Sequence, residues 1–232
     1  MENDMELSVV LPAYREEENL RVILPRLKAA LAGVTPAHEL LVVDSLKALD
    51  ATAAVCLANG ARCVNRRGSD LFGDAVRTGI AEARGRYVIF MDADGSHAPE
   101  FIEQLYRYRD QADVVIASRY VDGGNTENNP VQIAMSHTLN WIYGAVLGIK
   151  CRDISNSFKL YQAEQLKALK LYCGNFDIVE EILVKLVRNN KGARIKEVPF
   201  TFEKRKFGET KRNLAAFMVS FLVTLLRLRF GK

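Results

Sequence analysis

Cysteine is scarce and unpatterned. The 232 residues hold 4 cysteines, Cys56, Cys63, Cys151 and Cys173, and none stands in a CxxC spacing. The missing CxxC spacing removes the zinc-ribbon signature, and four scattered cysteines in 232 residues are too few for a disulfide scaffold, so free thiols in a reducing compartment are expected. Long apolar runs are missing too. The most apolar stretch, Asn213 to Leu226, ends at Arg227 and is shorter than the roughly 20 residues that span a bilayer. The opening Met-Glu-Asn-Asp-Met-Glu lacks the basic and apolar regions of a signal peptide, which predicts a cytoplasmic chain. Charge imbalance is small, +4, and the basic residues gather between Lys191 and Lys211. Basicity confined to one segment argues against a nucleic-acid partner. No internal repeat or low-complexity linker divides the chain, so one domain is expected over residues 1–212, followed by an apolar helix over 213–232. That helix reads equally as core packing, as an interfacial helix at a membrane face, or as a dimer contact.

What is present is a globular composition, 49% hydrophobic and 26% charged. Leu7 to Leu11, Glu39 to Val43, Ala61 to Val64, Tyr87 to Met91 and Asp113 to Ala117 read as buried strands. Segments with helical periodicity separate them, from Glu16 to Leu31, 50 to 59, Gly73 to Ala83 and Pro99 to Tyr108. Strands alternating with helices predict an α/β fold with a mostly parallel, doubly wound sheet. Further on, a helix is expected from Pro130 to Leu147, a strand over Ser157 to Tyr161, a helix over Phe176 to Val187 and a strand over Ile195 to Phe202. Trp141 falls on the apolar helix and is expected in the core.

Three of these strands end in chemistry. Pro12-Ala-Tyr-Arg-Glu16, Val43-Asp44 and Asp92-Ala-Asp94 each follow an apolar run. In a parallel sheet such ends share one edge, where open α/β sheets bind ligands. Two carboxylates one residue apart, Asp92 and Asp94, are hard oxygen donors suited to Mg²⁺ or Mn²⁺ bridging to a substrate diphosphate. Asp44 suits hydrogen bonds to a base or ribose, and Tyr14 suits packing on the base. His97, His38 and His137 have no metal partner at useful spacing and read as structural. Asp177, near a helix start, is a weaker general-base candidate.

An ordered set of motifs adds specificity. Ser8-Val-Val-Leu-Pro-Ala-Tyr-Arg-Glu16, Ala75-Val-Arg-Thr-Gly79, Met91-Asp-Ala-Asp-Gly-Ser-His97 and Ala117-Ser-Arg-Tyr120 come first. Asp153-Ile-Ser-Asn-Ser-Phe-Lys-Leu-Tyr161, Val198-Pro-Phe-Thr-Phe202 and Arg205-Lys-Phe-Gly-Glu-Thr-Lys211 follow. Together they resemble family 2 inverting glycosyltransferases of the GT-A (Rossmann-like) fold, and within them the dolichyl- and polyprenyl-phosphate mannosyl- or glucosyltransferases. The resemblance implies that Pro12, Tyr14, Glu16, Asp44, Asp92 and Ala93 hold a GDP- or UDP-hexose. It places Asp92 and Asp94 on the metal, Arg205 and Lys211 on the phosphates, and Arg119 on the acceptor phosphate, with Asp94, Arg119, Arg205 and Lys211 as the catalytic set. It implies metal-assisted, inverting transfer of mannose or glucose to polyprenyl or dolichyl phosphate in cell-envelope glycan synthesis, whereas peripheral membrane contact through 213–230 and a homo-oligomer are open readings of the apolar tail itself. The alternatives are a glycan or cell-surface polysaccharide acceptor, or a non-catalytic nucleotide-sugar-binding subunit. Two stretches depart from the family pattern. Asp44 is followed by Ser-Leu-Lys-Ala-Leu-Asp50 in place of Asp-Gly-Ser, and Gln132 stands where an arginine is usual.

Overall fold

The computed structural model describes residues 5–205, 207 and 214–230, and the side chains of 220–230 within the last segment. Apolar runs that cannot leave backbone groups unpaired form strands β1 (Leu7–Pro12), β2 (His38–Asp44), β3 (Arg62–Asn65), β4 (Tyr87–Phe90) and β5 (Val114–Ser118). Helices α1 (Glu17–Ala32), α2 (Thr52–Ala58) and α3 (Phe72–Glu82) connect the first four. A 3₁₀ turn, Pro99–Phe101, leads into α4 (Ile102–Arg107) before β5.

The second half contains β6 (Asn125–Thr126), α5 (Pro130–Leu147), β7 (Lys159–Gln162) and α6 (Ala163–Lys167). It continues with α7 (Ile178–Asn189), β8 (Ile195–Pro199), β9 (Thr201–Phe202) and α8 (Leu214–Phe230). The main sheet runs β3-β2-β1-β4-β7-β5-β8, and β6 with β9 makes a separate two-stranded ribbon. All main-sheet pairings are parallel except those of β7, which is antiparallel to both neighbours. The mostly parallel α/β reading therefore holds, with one reversed strand that the sequence pattern did not mark.

Alternation along the strands sends Val9, Leu11, Val42, Ile89 and Met91 to a layer with α1, α2 and α4. It sends Val10, Leu41, Val43, Val88 and Phe90 to the opposite layer with α3, α5, α6, α7 and α8. Both faces are buried, which is why these strands read as continuous apolar runs. Helix α3 lies so close to β1 that a Cβ at Gly79 would stand 2.5 Å from Val10 Cγ1.

Two expectations are corrected here. Trp141 is 73% exposed, because α5 rests on the protein along one narrow line through Leu139, Asn140 and Tyr143. The strand expected over Ile195 to Phe202 is two strands, with Phe200 buried between them.

Candidate active site

The carboxyl ends of β1, β2 and β4 lie side by side, since β1 pairs in parallel register with both neighbours. Just past β1, Arg15 adopts φ 55, a left-handed conformation that non-glycine residues rarely take. The turn it makes separates Tyr14 from Glu16 before α1 begins.

Asp44 ends β2 with only 1% exposure, and its Oδ1 accepts hydrogen bonds from Ser45 N at 2.7 Å and Ser45 Oγ at 3.3 Å. Burial raises its pKa, helped by the nearby Asp50 and opposed by Ser45. Asp50 is itself committed to structure. Its Oδ2 accepts Glu17 N at 3.2 Å and its Oδ1 accepts Thr52 N at 3.0 Å, so it caps α1 and α2 together. The departure at 45–50 thus leaves Asp44 as the acid at the end of β2.

Beneath Tyr14 lies a residue that sequence reasoning missed. Arg66 is 4% exposed and donates to the carbonyls of Ala13, Asp44 at 3.0 Å and Asp70 at 2.9 Å. Its guanidinium carbon stands 5.7 Å from the centre of the Tyr14 ring. Arg66 ties the ends of β1 and β2 to the loop after β3, and no local motif announces an arginine that works through backbone carbonyls.

At the end of β4, Asp92 Oδ1 accepts Ser157 Oγ at 2.9 Å. The antiparallel register of β4 with β7, Phe90 opposite Lys159, brings Ser157 across from Asp92. Asp94 Oδ1 accepts Ser96 N at 3.0 Å and Ser96 Oγ at 2.6 Å, closing a tight turn at Gly95 (φ 85), while Ala93 between them is buried. Among the described residues no three His, Cys, Asp or Glu side chains gather closely enough to make a metal cage. Asp92 and Asp94 stand there as two carboxylates at an open sheet edge. That set fits Mg²⁺ or Mn²⁺, which bind through one or two carboxylates and complete their shell with substrate phosphate and water.

Arg119, one residue past β5, forms a two-point ion pair with Asp153, Nε to Oδ2 at 2.8 Å and Nη2 to Oδ1 at 2.7 Å. Nη2 also donates to Ser155 Oγ at 3.0 Å, and Nη1 makes no hydrogen bond among the described residues. Burial works to lower the Arg119 pKa, but the Asp153 carboxylate outweighs it and raises the pKa. Glu197 Oε1 fixes Asp153 in turn, accepting its N–H at 3.0 Å.

The segment after β9 closes one side of the cleft. Glu203 N donates to Ser96 O at 3.0 Å, and Arg205 forms an ion pair with Glu16. Pro12 lines a small apolar hollow beneath the site together with Asp92 and Ser157. Tyr14, Glu16, Asp44, Asp92, Asp94, Arg119 and Arg205 thus share one sheet edge and its bordering loop, and Lys211 lies outside the described residues. Asp177 does not fit a general base. It is 5% exposed, its Oδ1 accepts Asn175 N at 3.1 Å and its Oδ2 accepts Thr224 Oγ1 at 2.5 Å, so it holds α8 in place.

Known proteins match this arrangement. The dolichol-phosphate mannosyltransferase of Pyrococcus furiosus is 32% identical over 214 residues, covering 89% of this chain, and this chain spans 59% of that protein's length. The polyprenol monophosphomannose synthase of Mycolicibacterium smegmatis is 34% identical over 221 residues, covering 88% of this chain and 79% of that one. Among solved structures, glucosyl-3-phosphoglycerate synthase from Mycobacterium tuberculosis, crystallised with Mn²⁺, UDP and phosphoglyceric acid, superposes with a TM-score of 0.72. It is 20% identical and aligns over 97% of this chain and 79% of its own, which carries the GT-A fold. Residues 8–170 match the family described as Glycosyl transferase family 2, and to that family the chain belongs.

Proposed function

We propose that the protein transfers a hexose, mannose or glucose, from a nucleoside diphosphate sugar to the phosphate of a polyprenyl lipid. The observation that carries this is the convergence of Asp44, Asp92 and Asp94 on one sheet edge, between a loop bearing Arg205 and the Arg119–Asp153 pair. Tyr14 and Asp44 take the base and ribose, and Asp92 and Asp94 would hold Mg²⁺ or Mn²⁺ beside the diphosphate. The metal, when bound, neutralises the diphosphate as it leaves.

The chain's own residues do the remaining work. An acceptor phosphate is already ionised at neutral pH, so it needs alignment and charge compensation more than a strong base. Arg119 supplies its Nη1 donor to that phosphate, while Asp153 fixes the guanidinium plane. Arg205 is close enough to the carboxyl end of β1 to exchange Glu16 for donor phosphate oxygens. Attack from the acceptor side, opposite the departing diphosphate, inverts the anomeric carbon. Relatives named for dolichol-phosphate and polyprenol chemistry support the lipid acceptor.

A physical observation favours a lipid over a soluble glycan. Asn140 of α5 donates to Ser155 Oγ at 3.2 Å, which in turn accepts from Arg119, so α5 borders the acceptor side. That helix exposes Val131, Trp141 and Val146, and α8 exposes Leu222, Val223, Leu226 and Phe230. Helices apolar on their outer faces suit a headgroup boundary, and no described helix is long and apolar enough to cross a membrane. Arg227 and Arg229 on α8 would face anionic headgroups. The same apolar face joining two copies of the chain is the alternative.

The test is incubation with labelled GDP-mannose or UDP-glucose, polyprenyl phosphate and Mn²⁺. Label in the organic phase, made alkali-stable or acid-labile as a glycosyl phosphate is, supports the reading. Label appearing only in a water-soluble glycan overturns the lipid acceptor. Tight donor binding without turnover on any acceptor makes the protein a sugar-nucleotide-binding subunit.

A further inference from the structure

The segment that leads from α5 into β7 alternates its side chains. Ile154, Asn156 and Phe158 turn inward and are buried, while Asp153 and Ser155 reach Arg119 and Ser157 reaches Asp92. Ser155 therefore stands between Arg119 and the first carboxylate of the Asp-x-Asp pair. Its hydrogen bonds can be counted to the last proton. Ser155 N donates to Asn140 Oδ1 at 3.0 Å. A backbone N–H only donates, so the atom facing it is the amide oxygen and the other end of the Asn140 side chain is its NH₂. That NH₂ donates to Ser136 O at 2.9 Å and to Ser155 Oγ at 3.2 Å. Arg119 Nη2 gives one hydrogen to Asp153 Oδ1 at 2.7 Å and the other to Ser155 Oγ at 3.0 Å. Both neighbours are donors, so together they fill the two lone pairs of the Ser155 oxygen. The hydroxyl proton must point to a third group, and no acceptor among the described residues takes it. Ser157 differs, because it spends its proton on Asp92 Oδ1 at 2.9 Å.

We propose that Ser155 binds the acceptor, its hydroxyl donating to the same phosphate that receives Arg119 Nη1. Nη1 and Nη2 share one guanidinium carbon, and Ser155 Oγ is hydrogen-bonded to Nη2. A single phosphate group is wide enough to take one hydrogen from Nη1 and another from Ser155. The charge balance makes the second donor matter. Asp153 offsets the charge of Arg119 in a two-point pair, so the pair offers a phosphate directed hydrogen bonds more than net charge. The hydroxyl is also oriented before the substrate arrives. Asn140 and Arg119 leave its proton one direction to take, so little freedom is lost on binding. The Asp92 carboxylate is close enough to Arg119 to act on its charge, which sets a phosphate held here beside the donor half of the cleft.

The inference rests on reading the acceptor as a phosphate bound at Arg119. The experiment measures, by calorimetry, the affinity of the full chain for a short, water-soluble prenyl phosphate and for inorganic phosphate. Ser155→Ala should weaken the prenyl phosphate at least about 10-fold, the loss expected for one hydrogen bond to a charged group, with nucleotide affinity unchanged. Ser155→Thr keeps the hydroxyl and should bind within a few-fold of the wild type. Should Ser155→Ala not fold, Ser155→Cys gives the same comparison, since a thiol is close in size and a poor donor. The Arg119→Lys background separates contact from support, because it lacks the Nη2 bond to Ser155. If Ser155 touches the phosphate, Ser155→Ala weakens binding in that background too. No further loss there means that Ser155 only steadies Arg119, and the proposal is overturned. A folded Ser155→Ala protein that binds prenyl phosphate like the wild type also overturns it, and leaves the lipid-phosphate reading standing. A wild type that ignores prenyl phosphate yet binds inorganic phosphate through Ser155 keeps this site and overturns the lipid. A wild type that binds neither overturns both.

Discussion

Arg205 reaches from the loop after β9 to Glu16 at the start of α1, and the pair joins two elements 189 residues apart across the mouth of the cleft. Glu16 is held from behind as Asn19 Nδ2 donates to its Oε2 at 2.6 Å, and Arg205 Nε donates to Phe207 O at 2.8 Å. The closing loop is therefore fixed by a charge that the donor diphosphate can replace with its own. Removing Arg205 should cost about 10²–10³-fold in kcat, the usual loss for one preorganised donor on developing charge. Glu16→Gln should cost less, and the double variant should be no worse than Arg205→Ala alone, because one contact cannot be lost twice. Steady-state kinetics of the three proteins check this. Additive losses would mean that Glu16 acts on the nucleotide independently of Arg205.

Asp94 offers a sharper dissection. Its Oδ1 is used by the Ser96 turn, so Asp94→Asn keeps an acceptor for that turn while removing the negative charge. The expected result is a melting temperature near that of the wild type and a loss of roughly 10³-fold in kcat/KM, the scale of several kcal/mol of charge stabilisation. Excess chelator should reduce the wild type to the same residual rate. Wild-type activity that resists both changes would remove the cation from the reaction.

The raised pKa of Asp44 gives a pH dependence with a definite sign. An aspartate accepting hydrogen bonds from ribose or base must be ionised, and burial makes it protonate at a higher pH than an ordinary carboxylate. Donor affinity should therefore decline on acidification before ordinary carboxylates titrate. The same burial disfavours the charged form in the folded state, so Asp44 should reduce folding stability as pH rises through the window between its unfolded and folded pKa. Asp44→Asn should flatten the acidic limb of nucleotide affinity measured by calorimetry. An unchanged limb would assign it to another group.

Most of the framework was legible because its signals were local. β1, β2 and β4 are apolar runs ended by Pro12, Asp44 and Asp92, so the sheet edge could be read directly. The bounds of α5 match because Asn129 accepts Gln132 N at 2.9 Å, Pro130 starts the helix and Gly148 ends it at φ 70. What was not legible depended on distant partners. Lys159 is fully buried in β7 with Nζ on Ile154 O at 2.7 Å, and no sequence period marks a strand as antiparallel. Arg66 acts through carbonyls of three segments, and His97 looks like any helix-start histidine until the Asp92 N–H is placed on it. Trp141 reads as core because an apolar helix usually is core, and only the packing of α5 along one line shows otherwise.

The Asp177–Thr224 contact predicts a separation of stability from catalysis. Thr224 is 2% exposed and joins α8 to the start of α7, with Tyr143 OH donating to Phe221 O at 3.2 Å alongside. Thr224→Val leaves the Asp177 carboxylate short of a donor in a buried place, which should cost about 1–3 kcal/mol. Asp177→Asn should lower stability while leaving kcat within a few-fold of the wild type. A large fall in kcat without loss of stability would restore Asp177 as a candidate base.

The exposed faces of α5 and α8 give the last test. Trp141 at 73% exposure and Leu226 at 58% make few internal contacts, so Trp141→Glu and Leu226→Glu should leave the melting temperature almost unchanged. Each removes an apolar side chain whose burial is worth about 1.5–3 kcal/mol, so partitioning onto vesicles should fall at least 10-fold per substitution. Vesicles of mixed neutral and anionic lipid, sedimented with the protein, measure this directly. Added salt should weaken binding as well, through Arg227 and Arg229. Turnover of a short, water-soluble prenyl phosphate should be spared in both variants, because neither side chain is among those brought to the sheet edge. If the variants instead convert a dimer to a monomer and wild-type protein ignores the vesicles, the apolar face joins two copies of the chain. The acceptor must then reach Arg119 from solution.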